Sequence, residues 1–482
     1  MNDPDSVNRR EFLGTAGAAG LMLGSQSAAR SAAAAERDEW PKLRPARIYK
    51  IYTGRSGVDS RGVLYLTWSK EEVARLDKYL QDLEKRLGDV TFIGGETIPP
   101  ADVAEVAARA ESADGMLVIH LSGHGTEAAA LDRLFGLGVP AVLFFQPFSG
   151  HGWMFFQQWK DRKTMMLSTS DWSDIDQAVN LLRVPALMKQ SRILAVNGPR
   201  GTAAGCSPEE VKKKFGTDLV TVPNTQILEI AKSIDPKAAE AEAQQYWISQ
   251  ARRIVEPTRQ EIIDSARYYL AVKQLMIKEN AQAICSAACM GSPRGCLTFS
   301  KLNDLGLVGA CEGDVDSTLT MLLFAYAFHV PGFITDPVVD TAKNTMVQFH
   351  CTSATMLDGP GSKRMPFVMR NQTDSGGGVA LEVRNRVGQP VTMAKLVNLD
   401  TMLVVPGRIT GTSASPLACR TQFSQSVRDA RHLFLNWGAG AIKTRDAMTL
   451  LHRVVFYGDH VRAVEGLGNL MGFKVIEEDR PV

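Results

Sequence analysis

Two carboxylates and an imidazole stand where they could form a metal site late in this chain. Glu312, Asp336 and His350 each follow a short apolar run. Such runs are typical of buried strands in an α/β sheet, and ligands bind at the carboxyl ends of those strands. Carboxylate oxygens combined with an imidazole suit Mn²⁺, Mg²⁺ or Fe²⁺ better than a thiolate-rich zinc site does. The spacing therefore predicts a divalent-metal centre.

Simpler structural roles compete with the metal site for the acidic residues of this region. Asp314 suits the N-cap of an apolar helix predicted over 317–328, whereas Glu312 stands too early for that role. Asp336 precedes Pro337, and an Asp-Pro pair is common in turns. Because both carboxylates fall within one short βαβ unit, we expect them to face the same crevice.

The cysteines beside the candidate ligands are expected to face away from the site. Cys311 and Cys351 adjoin Glu312 and His350, and neighbouring residues of a strand point to opposite faces. We therefore predict that both are small core residues. The seven cysteines form no CxxC pair and indicate no disulfide framework.

The elements that would position these residues divide the chain into three folded parts. Alternating strand and helix patterns over 46–197 predict a doubly wound α/β domain, and 198–345 continues the pattern as a second α/β domain with the metal carboxylates. Residues 346–482 show short runs between turn residues, which predict a β-rich C-terminal domain. The expected fold class is therefore α/β, with two doubly wound parallel-sheet domains and a β-rich C-terminal domain.

Residues 1–35 are expected to be a twin-arginine signal peptide. Arg9 and Arg10 precede Phe-Leu and a Gly/Ala/Leu stretch, and cleavage is expected near Ala35. No other stretch is long and apolar enough to span a bilayer. We therefore expect a periplasmic or otherwise exported protein with no membrane association after cleavage. The net charge of +2, without a long basic run, argues against a nucleic-acid partner.

The motifs of this chain resemble those of the L-fucose isomerase family and its L-arabinose isomerase relatives. The resemblance is clear over roughly residues 280–480. The matching segments are Glu312-Gly313-Asp314, Thr335-Asp336, His350-Cys351, 365–370, 377–379 and His452 followed by Gly458-Asp459.

The resemblance implies a Mn²⁺-dependent aldose–ketose isomerase that acts on a small sugar and assembles as a homo-oligomer. In the family a Glu, an Asp and a late His bind the metal, and the two carboxylates transfer protons. Carried over, these residues are Glu312, Asp336 and His452, while His350 would contact the metal or the substrate. The metal would stabilise an enediolate while one carboxylate removes a proton and an acid returns it. Mg²⁺ and Fe²⁺ remain alternative metals.

Other interpretations stay open. His452 lies in an apparent strand over 450–459, where a lone His is usually an ordinary core residue. The chain also departs from the family at Arg453, where relatives often have a second His, and over 371–374. The alternatives are another metal-dependent carbohydrate-processing enzyme, such as a lyase or epimerase, and a non-catalytic periplasmic sugar-binding protein.

Replacing both Arg9 and Arg10 with Lys should leave the precursor in the cytoplasm, because the twin-arginine translocon recognises that pair. Cell fractionation followed by immunoblotting measures the distribution of the double variant. Normal export would remove the twin-arginine assignment.

Overall fold

The computed structural model describes most of the chain after residue 35. The described residues are 36–56, 67–68, 70–98, 103–121, 128–147, 149–289, 291–373 and 376–480. The predicted signal peptide and Asp374 lie outside them. Among the described residues, no helix combines the length and apolarity needed to cross a bilayer.

The first sheet is parallel and has helices on both faces. This part of the chain contains β1 Ala46–Thr53, β2 Arg55–Ser56, β3 Thr67–Trp68, α1 Lys70–Leu87, β4 Val90–Ile98, α2 Val103–Ala110, β5 Gly115–His120, α3 Ala128–Phe135, β6 Ala141–Phe145, β7 Thr164–Ser168, α4 Ser173–Leu182 and α5 Val184–Gln190. The strand order is β4-β1-β5-β6-β7, and β2 pairs separately with β3. Along β5, Leu117 and Ile119 enter one hydrophobic cluster while Met116 and Val118 enter another. The sheet is therefore buried on both faces, which explains its uninterrupted apolar strands.

The second sheet is also parallel. Its part of the chain contains β8 Arg192–Val196, α6 Pro208–Phe215, β9 Asp218–Val222, α7 Asn224–Ser233, α8 Pro236–Glu242, a π-helical turn Ala243–Ile248, β10 Arg253–Ile254, α9 Arg259–Lys278, β11 Ala283–Ser286, α10 Cys296–Asp304, β12 Val308–Cys311 and α11 Val315–Phe328. The sheet order is β12-β11-β8-β9. Helix α11 is almost entirely buried and packs on both β12 and β18 of the third sheet (Pro390–Val397). This double packing explains why α11 is apolar around its whole circumference.

The third sheet is mainly antiparallel and curls back on itself. The part of the chain from residue 333 onward contains β13 Phe333–Thr335, β14 Val338–Asp340, β15 Thr345–His350, β16 Phe367–Arg370, β17 Ala380–Val383, β18 Pro390–Val397, β19 Thr401–Thr412, β20 Thr421–Ser426, α12 Ala430–Leu435, α13 Ala447–Leu451, β21 Arg453–Tyr457, α14 Val461–Met471 and β22 Lys474–Glu477. The order is β13-β21-β18-β19-β20-β15-β14, with β22 beside β19, while β10, β16 and β17 form a small separate sheet. The Asp336 backbone N–H donates to the Phe349 carbonyl at 2.9 Å, so the chain after β13 meets β15.

This architecture confirms the predicted fold class. One hydrophobic cluster joins all three large sheets and includes Phe144, Ala195 and Phe456. The domain boundaries stay predictions, but sheet membership assigns some strands differently. Strand β8, which the sequence places at the end of the first domain, lies inside the second sheet, and β13 and β14 belong to the third. A short apolar strand carries no local mark of the sheet it joins.

Arg453, the departure from the family pattern, is a fully buried structural residue. Its guanidinium donates to the two carboxylate oxygens of Glu478 at 2.9 and 3.1 Å and stacks on Trp437 at 3.9 Å. Neither charged side chain is exposed to solvent. Arg453 therefore has a structural role in the third sheet. The second His that relatives often have at this position is absent from this chain.

Glu478→Gln should lower the free energy of unfolding by about 3–5 kcal/mol, because it leaves the buried Arg453 charge uncompensated. Urea denaturation measures the change. The control is Glu229→Gln, which removes the acid of the exposed Lys232 pair and should cost less than about 1 kcal/mol. Equal losses in the two variants would contradict a structural role for the buried pair.

Candidate metal centre

The four predicted site residues stand at the ends of strands from two different sheets. Glu312 follows β12 in the second sheet. Asp336 follows β13, His350 ends β15 and His452 precedes β21, all in the third sheet. The centre therefore lies where the second and third sheets meet.

Strand pairing brings the residues of the third sheet to one edge. Strands β13 and β21 are antiparallel, with Thr335 opposite Arg453. Asp336 and His452, the next residues outward, consequently leave the sheet together. The hydrogen bond from Asp336 to the Phe349 carbonyl places the end of β15, and hence its last residue, at the same edge.

His452 lies in the middle of the cluster. Its Nε2 atom is 3.4 Å from Asp336 Oδ1 and 3.8 Å from Glu312 Oε2. Its ring meets the His350 ring edge-on, with centroids 5.7 Å apart. One potential ligand atom each from Asp336, His350 and His452 lies within 4.8 Å of the others. The structure thus brings together all four residues selected from the sequence.

Asp314 orients the His452 ring. Asp314 Oδ2 accepts a hydrogen bond from His452 Nδ1 at 3.0 Å, which leaves Nε2 as the ring nitrogen nearest to Asp336 and Glu312. Within the described part of the chain, Nε2 has no hydrogen-bond partner although the ring is fully buried. A carboxylate that holds one ring nitrogen while the other stays available is the usual arrangement of a histidine metal ligand.

A buried lysine keeps Asp314 ionised. Lys395 Nζ donates to Asp314 Oδ2 at 2.8 Å and to the Met448 carbonyl at 2.7 Å, and both charged side chains are fully buried. Burial alone would raise the pKa of Asp314, but the charge of Lys395 and the hydrogen bond from His452 hold that pKa below its usual value. An ionised Asp314 can only accept hydrogen bonds, so it fixes the tautomer of His452.

Sequence patterns indicate only part of this arrangement. Asp314 caps α11, as predicted, by accepting from the Ser317 backbone N–H at 2.9 Å. Its contact with His452 was not foreseen, and Lys395 was not singled out. The available signal was a lysine within the otherwise apolar strand β18, since a fully buried lysine requires an acidic partner.

The backbone at Glu312 changes one part of the prediction for Cys311, the direction in which its side chain faces. Glu312 adopts φ 57° and Gly313 φ 74°, so the left-handed turn ends the strand alternation. Cys311 Sγ, a Glu312 carboxylate oxygen and a His350 ring nitrogen consequently lie within 4.8 Å of one another. Cys311 is a buried core residue, as predicted, but its Sγ borders the cluster instead of facing away from it. Cys351 packs in a separate buried group, as expected for a core residue.

The predicted strand around His452 is also wrong at its start. Asp446 caps the short helix α13 by accepting from the Thr449 backbone N–H at 2.9 Å. His452 follows this helix in an extended conformation, and β21 begins only at Arg453. The local capping signal thus overrides the strand pattern.

The donors fit a divalent cation. The Glu312 and Asp336 side chains are 26% and 20% exposed, so the carboxylates form the accessible rim, while the rings of His350 and His452 are buried. Bonds of about 2.1 Å in octahedral geometry place neighbouring ligand atoms about 3 Å apart. The 3.4 Å separation of Asp336 Oδ1 and His452 Nε2 requires only a small adjustment.

Comparisons with known proteins give a limited but specific similarity. No family model matches the chain. Sulfoquinovose isomerase from Clostridium sp. (strain MSTE9) is 28% identical over 166 residues, covering 32% of this chain and 36% of that protein. The chain thus spans about a third of the length of this curated relative. The match indicates similarity to a sugar isomerase.

A solved structure of an arabinose-binding protein from Geobacillus stearothermophilus was also matched. It is 16% identical, with coverage of 58% of this chain and 88% of that chain. Its TM-score is 0.17, so it supports no argument about this fold.

His452→Ala should weaken Mn²⁺ binding strongly. Loss of a residue that only orients a metal ligand lowers affinity about 10–100-fold, and loss of the ligand itself should lower it more. The melting temperature of the metal-free protein should change much less. Calorimetric titration with Mn²⁺ and melting of the apo-protein measure the two effects.

The matched control is His460→Ala. That imidazole stacks on Phe328 and contacts the Tyr457 carbonyl, so its loss should leave Mn²⁺ affinity unchanged. A large loss of apo-protein stability in His452→Ala, with unaltered affinity, would make His452 a structural residue.

Proposed function

We propose that this protein is a metal-dependent aldose–ketose sugar isomerase. The observation that carries the proposal is the buried Nε2 atom of His452, which Asp314 orients toward Glu312 and Asp336. The partial similarity to sulfoquinovose isomerase supports the same reaction class. The sequence resemblance to the L-fucose isomerase family points in the same direction.

The proposed metal is Mn²⁺, with Mg²⁺ or Fe²⁺ as alternatives. Glu312, Asp336 and His452 would hold it, and His350 would contact the metal or the sugar. When bound, such a cation polarises the carbonyl oxygen and the neighbouring hydroxyl of an open-chain sugar.

The two carboxylates supply the proton transfer. Aldose–ketose conversion moves one hydrogen from C2 to C1 and one from the C2 hydroxyl to the C1 oxygen. Glu312 and Asp336 both lie within 3.8 Å of His452 Nε2, and their side chains are partly exposed, so both can meet a sugar. One carboxylate removes the C2 proton as a base, and a carboxylic acid returns a proton to C1.

We also propose that the protein is exported to the periplasm through the twin-arginine route. The twin-arginine route carries folded proteins, so a metal selected in the cytoplasm would already be in place in the periplasm. We also propose assembly as a homo-oligomer, which size-exclusion chromatography with light scattering tests directly.

The decisive experiment incubates the Mn²⁺-loaded protein with aldoses in heavy water. The panel includes L-fucose, L-arabinose and sulfoquinovose, and NMR follows the products. An isomerase yields a ketose that carries deuterium at C1. Deuterium at C2 of an aldose without ketose formation would replace the proposal with an epimerase. Saturable sugar binding without exchange would replace it with a sugar-binding protein.

Glu312→Gln and Asp336→Asn should each slow deuterium exchange by at least about 10²–10⁴-fold, because the amides keep the shape but lose the base and the anionic ligand. Circular dichroism checks that both variants fold. Asp459→Asn, an isosteric change at an exposed carboxylate, should exchange deuterium at the rate of the unaltered protein. Full activity in either site variant would remove that residue from the mechanism.

A further inference from the structure

We propose that this cluster contains a second, sulfur-containing site that binds soft divalent cations such as Zn²⁺ and Cd²⁺. Its donors are Cys311 Sγ, a Glu312 carboxylate oxygen and a His350 ring nitrogen, all within 4.8 Å of one another. Cys289 Sγ lies 3.1 Å from Cys311 Sγ but outside this group of three, so it would supply a fourth donor only by moving toward the other ligands. A thiolate, an imidazole and a carboxylate, with a second thiolate next to the first, are ligands of the kind that zinc-like cations prefer.

Neighbouring strands build this set. Cys289 follows β11 and Cys311 ends β12, and these two strands pair in parallel. The Glu312 backbone N–H donates to Cys289 Sγ at 3.3 Å, which holds the turn after β12 against the first thiol. The positive φ of Glu312 then directs its carboxylate to the same side as Cys311.

The two sulfurs need only a small movement to bind a metal. Both thiols are free and buried, and their short contact is a hydrogen bond between Cys289 and Cys311. Tetrahedral metal–sulfur bonds of about 2.3 Å place two thiolates about 3.8 Å apart. Metal binding displaces the thiol protons, removes this hydrogen bond and lets the sulfurs separate by less than about 1 Å.

The soft and hard donor sets overlap. His350 belongs to both sets of neighbouring ligand atoms, Cys311 and Glu312 to the soft set, and Asp336 and His452 to the hard set. Glu312 is also one of the three ligands of the proposed catalytic metal. A soft cation bound through sulfur would therefore withdraw Glu312 from the proposed catalytic centre and inhibit turnover. This consequence rests on the proposed function, whereas the binding itself does not.

Titration of the metal-free protein with Cd²⁺ tests the site through the ultraviolet charge-transfer absorption of cadmium thiolates. We expect one equivalent of Cd²⁺ to produce this band. Cys311→Ser should weaken Cd²⁺ binding at least tenfold and remove most of the band. Asp336→Asn should keep the band, because Asp336 lies outside the soft set.

Cys419→Ser is the matched control, since Cys419 packs with Cys296 and Cys351 in the other buried cysteine group. It should keep the full band. A band that survives in Cys311→Ser, or that disappears in Cys419→Ser instead, would overturn the assignment, as would the absence of a band in the unaltered protein. The cadmium titration needs no sugar, so its result would be the same if the isomerase proposal failed. Conversely, the absence of a Cd²⁺ band would not change the result of the Mn²⁺-dependent turnover experiment.

Discussion

The buried carboxylate of Asp314 is the contact on which the centre depends. It accepts four hydrogen bonds: two from Ser317 at the start of α11, one from Lys395 and one from His452. Burying an unpaired carboxylate costs several kcal/mol, and the cation and the four donors offset that cost. Because the donors belong to a helix of the second sheet and to elements of the third, the ion pair also couples the positions of those elements.

The pKa of the neighbouring Asp316 carboxyl contrasts with that of Asp314, which forms the ion pair with Lys395. Asp316, two residues along the same helix, is also buried, and burial together with the charge of Asp314 raises its pKa to about 6. Asp316 accepts from the backbone N–H and hydroxyl of Thr202 at 2.6 and 2.8 Å and so fastens the loop after β8 beside the centre. A Cβ atom at Gly205 would come within 2.2 Å of the Asp316 carboxylate, so this close approach requires glycine.

The strained turn at Glu312 brings oxygen and sulfur ligand atoms together at the centre. A non-glycine residue with positive φ costs about 1–3 kcal/mol, and here the conformation brings a carboxylate and a thiol to one side. The group of Cys311, Glu312 and His350 and the group of Asp336, His350 and His452 consequently share His350. A cation bound at these donors would be selected by supply and by the order of loading as well as by affinity.

Local sequence patterns were enough to identify the elements and most of the candidate donors. Strands buried on both faces require continuous apolar runs, and Glu312, Asp336 and His350 were selected because each follows such a run. The fold class and the Asp314 cap followed from equally local patterns, whereas His452 was selected through its family resemblance.

Only the tertiary structure decided which strands share a sheet, where Cys311 points and what Asp314 binds. Asp314 lies 81 residues from Lys395 and 138 from His452. Periodicity describes which face of an element is buried, but it does not describe which distant residue lies opposite. Ion pairs, sheet membership and the direction of a side chain at a left-handed turn therefore appear only when the chain is folded.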